Sequence, residues 1–228
     1  MFFTAILIGC SCFAGNDKVV ILGDSYSTFE GAIPERYANW YWTDSRGNDV
    51  HNVQQTWWWQ LCRDKNLELL LNSSYSGSTI CNTGYYGQDY SRISFVARMK
   101  NDIVGEDGKI GRCGQVPDLV LIFGGTNDDW SGAPMGEVLD PSEWKNADLK
   151  ACLPATSYML GYLKEKLPQT RIVVIVNSEL KKPVTEGLEE ACRLYGAECL
   201  KLFQIDKINN HPSVAGMIKI ANQIGAAL

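Results

Sequence analysis

The chain has only two histidines among its 228 residues, His51 and His211. So few imidazoles exclude a His-rich metal site. There is no Lys/Arg-rich run, and the formal net charge is -5. A nucleic-acid face needs clustered basic side chains against the phosphates, so no nucleic-acid partner is expected. No apolar stretch approaches the roughly 20 residues that a membrane-spanning helix requires. Eight cysteines are present, yet no two have the Cys-x-x-Cys spacing of a zinc or thioredoxin-like site.

What is present is a 45% hydrophobic composition, enough for a sizeable core at this length. Residues 15–228 read as a single domain. Residues 1–14 read as a signal or lipoprotein segment, because Phe2 to Cys12 (FFTAILIGCSC) is apolar and uncharged. Leu7-Ile8-Gly9-Cys10 resembles a lipoprotein processing box that would leave Cys10 as a lipid anchor. Ser11 to Ala14 offers a small-residue cleavage site instead. The basic residues that usually precede such a segment are missing, so an extra buried strand stays open as the other reading. Export would make the protein periplasmic, secreted or lipid-anchored at a bacterial cell surface. Cys62, Cys81, Cys113, Cys152, Cys192 and Cys199 could then pair, or remain buried thiols.

Short apolar, β-branched runs alternate with helical patterns. Lys18–Leu22, Leu67–Leu71, Asp118–Phe123, Arg171–Val176 and Glu198–Phe203 read as strands buried on both faces. Gln55–Lys65, Gln88–Asn101, Thr185–Tyr195, the Leu153/Leu160/Leu163/Leu167 face and the Val214–Leu228 face read as helices. This alternation predicts a three-layer α/β/α sandwich on a parallel sheet of about five strands. Sites in such folds form beyond the carboxyl ends of the strands. Two long segments, Phe29–Thr56 and Trp130–Asp148, break the alternation. Loops of that length usually build a binding wall.

Four polar clusters carry the chemistry. Gly23-Asp24-Ser25-Tyr26-Ser27 follows the first strand and would present the Ser25 hydroxyl at a tight turn, though an N-cap role is the bland alternative. Asn72–Thr79 follows the second strand, and Gly77 could aim a backbone N–H at a substrate oxygen or simply make a turn. Gly124-Gly125-Thr126-Asn127-Asp128 follows the third, where the Asn127 carboxamide could donate to the same oxygen. His211-Pro212-Ser213 precedes the last helix. A neutral imidazole is the natural acceptor for a serine proton.

In this order, Ser25, Gly77, Asn127 and His211 resemble the four blocks of the SGNH or GDSL-like hydrolases. The resemblance spans about Lys18 to the C-terminus. It implies a flavodoxin-like fold and ester hydrolysis with no metal or organic cofactor. Ser25 would be nucleophile, His211 general base, and Ser25, Gly77 and Asn127 the oxyanion hole. The family usually has Asp three residues before the histidine, where this chain has Ile208. Asp206, five residues before His211, is then the candidate third member. The alternative is a Ser–His dyad whose ring is oriented by a backbone carbonyl or Asn209.

Seven tryptophans, among them Trp40, Trp42, Trp57, Trp58, Trp59 and Trp130 in or near the unusual segments, suggest aromatic walls for sugar rings. Trp130 is the first candidate, with Tyr26 and Tyr85 behind it, and core packing is expected for at least one of Trp57, Trp58 and Trp59. The expected substrate is a small-molecule or glycan ester, with O-acetyl the favoured acyl group. A lipase-type esterase and a glycan-binding module with a decayed site are the alternatives. A phosphate-binding flavodoxin-like protein is disfavoured, because GDSYSTFEG lacks Walker or GxGxxG spacing.

Overall fold

The computed structural model describes residues 16–44 and 46–228. The candidate signal segment, with Cys10, lies outside the described residues. The sheet strands are β1 (Lys18–Gly23), β2 (Glu68–Ser74), β3 (Leu119–Gly124), β4 (Arg171–Val176) and β5 (Glu198–Lys201). All pair in parallel, in the order β2-β1-β3-β4-β5. This is the flavodoxin-like order, in which the chain reverses its direction of winding beside β1.

Period-two alternation divides the strand residues between two cores. Val20, Leu22, Val120, Ile122, Ile172 and Val174 face one layer, packed against α2 (Phe95–Arg98), α4 (Cys152–Lys166) and α5 (Lys182–Tyr195). Val19, Ile21, Leu121, Phe123, Val173 and Ile175 face the other, against α1 (Trp57–Lys65) and α6 (Val214–Ala227). The short helix α3 (Thr126–Ser131) follows β3 directly. Gly125 makes that turn with φ +89°, a left-handed conformation that favours glycine.

Two local expectations need correction. The helix predicted over Gln88–Asn101 is only α2, continued by a wide π-turn at Met99–Ile103. Ser94 starts it by accepting from the Ala97 N–H, and residues 82–90 before it bond to one another instead. β2 runs on to Ser74, three residues beyond the run that the apolar pattern marked. Trp57 and Trp58 are core residues, with indole N–H groups on Ser27 Oγ (3.2 Å) and Ser27 O (2.9 Å). The six described cysteines are all free thiols.

A two-stranded hairpin, β6 (Lys207–Ile208) and β7 (His211–Pro212), leads into α6. Its turn is Asn209-Asn210, both at positive φ (53° and 61°). That is the signature of a type I′ turn, whose twist matches the flanking strands. The long segment after β1 folds over this hairpin. Tyr41 Oη donates to Pro212 O (2.8 Å), and Asn48 Nδ2 to Ile208 O (3.1 Å).

Candidate active site

Ser25 opens a 3₁₀ turn (Ser25–Ser27) directly after β1. Asp24 caps the turn, its carboxylate accepting from the Tyr26 N–H (3.0 Å). Ser25 Oγ lies 3.0 Å from His211 Nε2, although the two residues are 186 positions apart. His211 Nδ1 is 3.0 Å from Asn209 O. A carbonyl can only accept, so Nδ1 carries the proton and Nε2 presents its lone pair to the serine hydroxyl. The arrangement suits proton transfer from Ser25 to His211.

The imidazole is packed on its face and its edges. Trp40 stacks on it with ring centroids 3.6 Å apart and planes 7° from parallel. Tyr26 and Trp130 meet it edge-on at 5.2 and 6.3 Å. Burial holds its pKa down at about 4, against the opposing pull of the Asn209 carbonyl; the Lys207 and Arg46 charges also lower it. The ring is therefore neutral at pH 7, the state a general base needs.

Asp206 does not approach His211. Its carboxylate pairs with Lys219 Nζ at 2.6 Å, and that cation holds its pKa below the usual range. The hairpin explains the difference. The two-residue turn brings Asp206 O beside the Ser213 N–H (3.0 Å), so its side chain leaves toward α6. The Asn209 carbonyl occupies the position that the carboxylate was expected to fill. Tyr26 also departs from expectation as a pocket wall. It is fully buried, edge-on to Phe123, and its hydroxyl donates to Asn210 O (2.6 Å). Trp130, 42% exposed, remains at the rim. Tyr85 is half-buried there, with its hydroxyl on Asn127 Oδ1 (2.8 Å).

That bond orients Asn127. With Oδ1 accepting from Tyr85, Nδ2 donates to Ser78 O (3.0 Å), and one amide hydrogen remains for another acceptor. Gly77 turns beside it at φ +83°. Asp128, the next residue on α3, accepts from the Ile80 and Cys81 N–H groups (2.9 and 3.2 Å). The loops after β2 and β3 are thus tied together.

Arg98 carries no sequence signal for any of this. Its fully buried guanidinium donates to Gly23 O (3.0 Å), Ser78 Oγ (2.8 Å) and Ser73 O. Burial lowers its pKa to about 10, although the charge of buried Asp102 on the following turn supports it. Asp102 in turn accepts from Ser73 Oγ (2.6 Å) and Tyr37 Oη (2.8 Å). Beside Ser25, burial pushes the Asp24 carboxyl up to about 7, even with the Tyr26 N–H and Arg98 favouring its charge. Trp40 stood among the aromatics of the first long segment, and Asn-Asn between short runs is a readable hairpin signal. Those were the available clues.

Arg98→Met should remove the guanidinium donor from Gly23 O, Ser73 O and Ser78 Oγ and leave the buried Asp102 carboxylate with the half-exposed Arg112 (3.5 Å) as its ion-pair partner. Breaking a buried, ion-paired network in this way costs about 3–5 kcal/mol. Urea unfolding of the variant against wild type measures the loss, and a change below about 1 kcal/mol would deny the network its structural role.

The model of the family "GDSL-like Lipase/Acylhydrolase" matches residues 17–228. A Bacteroides uniformis protein described as a GDSL-like lipase is 44% identical, with a TM-score of 0.83 over 95% of this chain and 97% of that one. A counterpart from Bacteroides ovatus is 39% identical, also at TM-score 0.83, over 94% and 98%. A family two carbohydrate esterase from Clostridium thermocellum, solved with cellohexaose, shares the fold at 16% identity and TM-score 0.60, over 92% of this chain and 63% of that one. No curated protein sequence matches. From its matched length and its Bacteroides relatives, the chain belongs to the GDSL-like lipase/acylhydrolase family and is an ester hydrolase in kind.

Proposed function

We propose that this protein removes O-acyl groups, with acetyl the favoured one, from carbohydrate by acyl transfer through Ser25. The observation that carries the reading is the 3.0 Å contact of Ser25 Oγ with a His211 Nε2 whose lone pair faces it. His211 takes the serine proton as Oγ attacks the ester carbonyl. The Ser25 and Gly77 backbone N–H groups and the remaining Asn127 amide hydrogen hold the oxyanion. Donors of this kind each contribute about 3–4 kcal/mol to the transition state. His211 then protonates the leaving sugar hydroxyl, and water activated by the same ring releases the acid.

The site works as a dyad. The Asn209 carbonyl fixes the tautomer, and the face of Trp40 stabilises the imidazolium as it forms. The carbohydrate reading rests on the rim. Trp130, Tyr85 and Asn127 offer aromatic faces and an amide, which suit a sugar ring better than a long aliphatic chain. Cleaving polymeric glycans also fits an exported enzyme, with residues 1–14 as the signal or lipoprotein segment and Cys10 as the lipid anchor.

Ser25→Ala is expected to abolish hydrolysis of 4-nitrophenyl acetate and of acetylated polysaccharides, both followed by product release. Full activity in that variant would remove Ser25 from the mechanism. A preference of the wild type for acyl chains beyond about eight carbons would move the assignment to a lipase-type esterase.

Asp206→Asn should keep kcat within about threefold of wild type, whereas loss of a true triad carboxylate costs about 10⁴-fold. Steady-state kinetics on the acetyl ester decide between the two.

Protonating His211 destroys the base, so kcat/KM should fall as pH drops, with a midpoint near 4. That midpoint lies well apart from the Asp24 titration near 7. Exposing the ring with Trp40→Ala should move the acid limb upward, toward the ordinary imidazole value of about 6.5. A wild-type limb already at that value would contradict the buried setting.

A further inference from the structure

Residues 82–90 form a narrow loop beside Asn127. The loop is closed by its own backbone, with the Gly84 N–H on Gln88 O (2.9 Å) and the Tyr90 N–H on Asn82 O (2.8 Å). It is fastened to its neighbour by the Asn82 N–H on Leu149 O (2.7 Å) and Thr83 Oγ1 on Lys150 O (2.7 Å). Two tyrosines at its tip have opposite settings. Tyr85 is half-buried with its hydroxyl on Asn127. Tyr86 is 96% exposed.

Tyr86 also has φ +58° and ψ 26°, a left-handed conformation that bulky side chains rarely adopt. An aromatic ring is thus held out in water at the cost of backbone strain, on a loop braced by hydrogen bonds. Such strain clusters at ligand clamps. The same loop borders a recess of about 380 Å³ lined by Asn82, Thr83, Gly87, Gln88, Asp89 and Lys150, among others. Its amides, hydroxyl, carboxylate and ammonium can donate to and accept from sugar hydroxyls. A sugar ring has an apolar C–H face and a polar edge. An exposed aromatic that adjoins the recess-lining Gly87 in the chain offers a partner for each.

We propose that Tyr86 and this recess form a distal subsite that holds a sugar residue of the glycan beyond the one whose ester lies at Ser25. The proposal rests on the carbohydrate reading given above. Tyr85 links the two regions, since its phenol hydrogen-bonds the Asn127 carboxamide and its backbone continues into Tyr86. The subsite selects for chain length, while Ser25 and His211 perform the chemistry.

The test compares acetylated xylohexaose and acetylated cellohexaose with the corresponding acetylated monosaccharides, in wild type, Tyr86→Gly and Tyr86→Trp. Glycine relieves the positive φ, so Tyr86→Gly should melt at or above the wild-type temperature, and lost selectivity cannot then be ascribed to unfolding. In wild type, kcat/KM should favour a hexasaccharide over its monosaccharide. That ratio should fall about three- to tenfold in Tyr86→Gly, mainly through KM, and be retained in Tyr86→Trp. A ratio unchanged in Tyr86→Gly, or a wild type with no preference for either hexasaccharide, overturns the subsite and leaves the esterase assignment standing. If no ester is hydrolysed at all, calorimetric titration of both hexasaccharides into Ser25→Ala and into Ser25→Ala/Tyr86→Gly still decides. Binding weakened by the second substitution supports the subsite, and equal or absent binding overturns it.

Discussion

One buried cation holds the carboxyl ends of β1 and β2 in place. The carbonyls at the ends of β1 and β2, Gly23 O and Ser73 O, lie buried at the rim, and Gly23 O already accepts from the Tyr75 N–H (3.1 Å). Each carbonyl has a second lone pair that a further donor can satisfy. The Arg98 guanidinium, planar and rich in donors, reaches both of them and Ser78 Oγ as well. It carries its own desolvation cost, which Asp102 offsets by Coulomb attraction from the following π-turn. The result is a fixed spacing between the serine turn after β1 and the Gly77 loop after β2. The oxyanion hole proposed above draws on both and depends on that spacing.

The opposite side of the site uses backbone where a carboxylate was expected. A type I′ turn leaves the Asn209 carbonyl facing the imidazole, and a carbonyl selects the tautomer as firmly as an acid does. It supplies no full negative charge, so the imidazolium depends more on its surroundings. Trp40 provides a π face at stacking distance, and Tyr26, itself fixed to Asn210 O, supports the edge. The segment after β1 therefore carries Ser25 and also builds the surroundings of the His211 ring. Tyr85 performs the matching service for Asn127, with one hydroxyl deciding which way the carboxamide points.

Much of this framework could be read in the chain. Arg171–Val176 was marked as a strand and is β4 residue for residue. Its apolar run has no polar interruption, and burial on both faces leaves nothing to mistake for a helix. The helix drawn over Gln88–Asn101 shows where local pattern misleads. Val96, Met99 and Ile103 do face the core, yet the residues before Ser94 are held by backbone bonds between Asn82 and Tyr90 that no periodicity reports. Asp206 shows the same for the site. Counting back from the histidine ranks it first, but a two-residue turn decides where each side chain leaves the backbone.

The sequence by itself determined the layers, the parallel sheet and the candidates for the reacting groups. Those follow from composition and period, which act locally: apolar runs must be buried, and a hydroxyl, a carboxamide and an imidazole have only a few chemical uses. Tertiary structure alone decided which groups meet and in what state. The 186-residue separation of Ser25 from His211 closes only when β1 and the β6–β7 hairpin share one rim. The lowered imidazole pKa, the Arg98 bonds and the exposed ring of Tyr86 are properties of surroundings, and surroundings are assembled from distant parts of the chain.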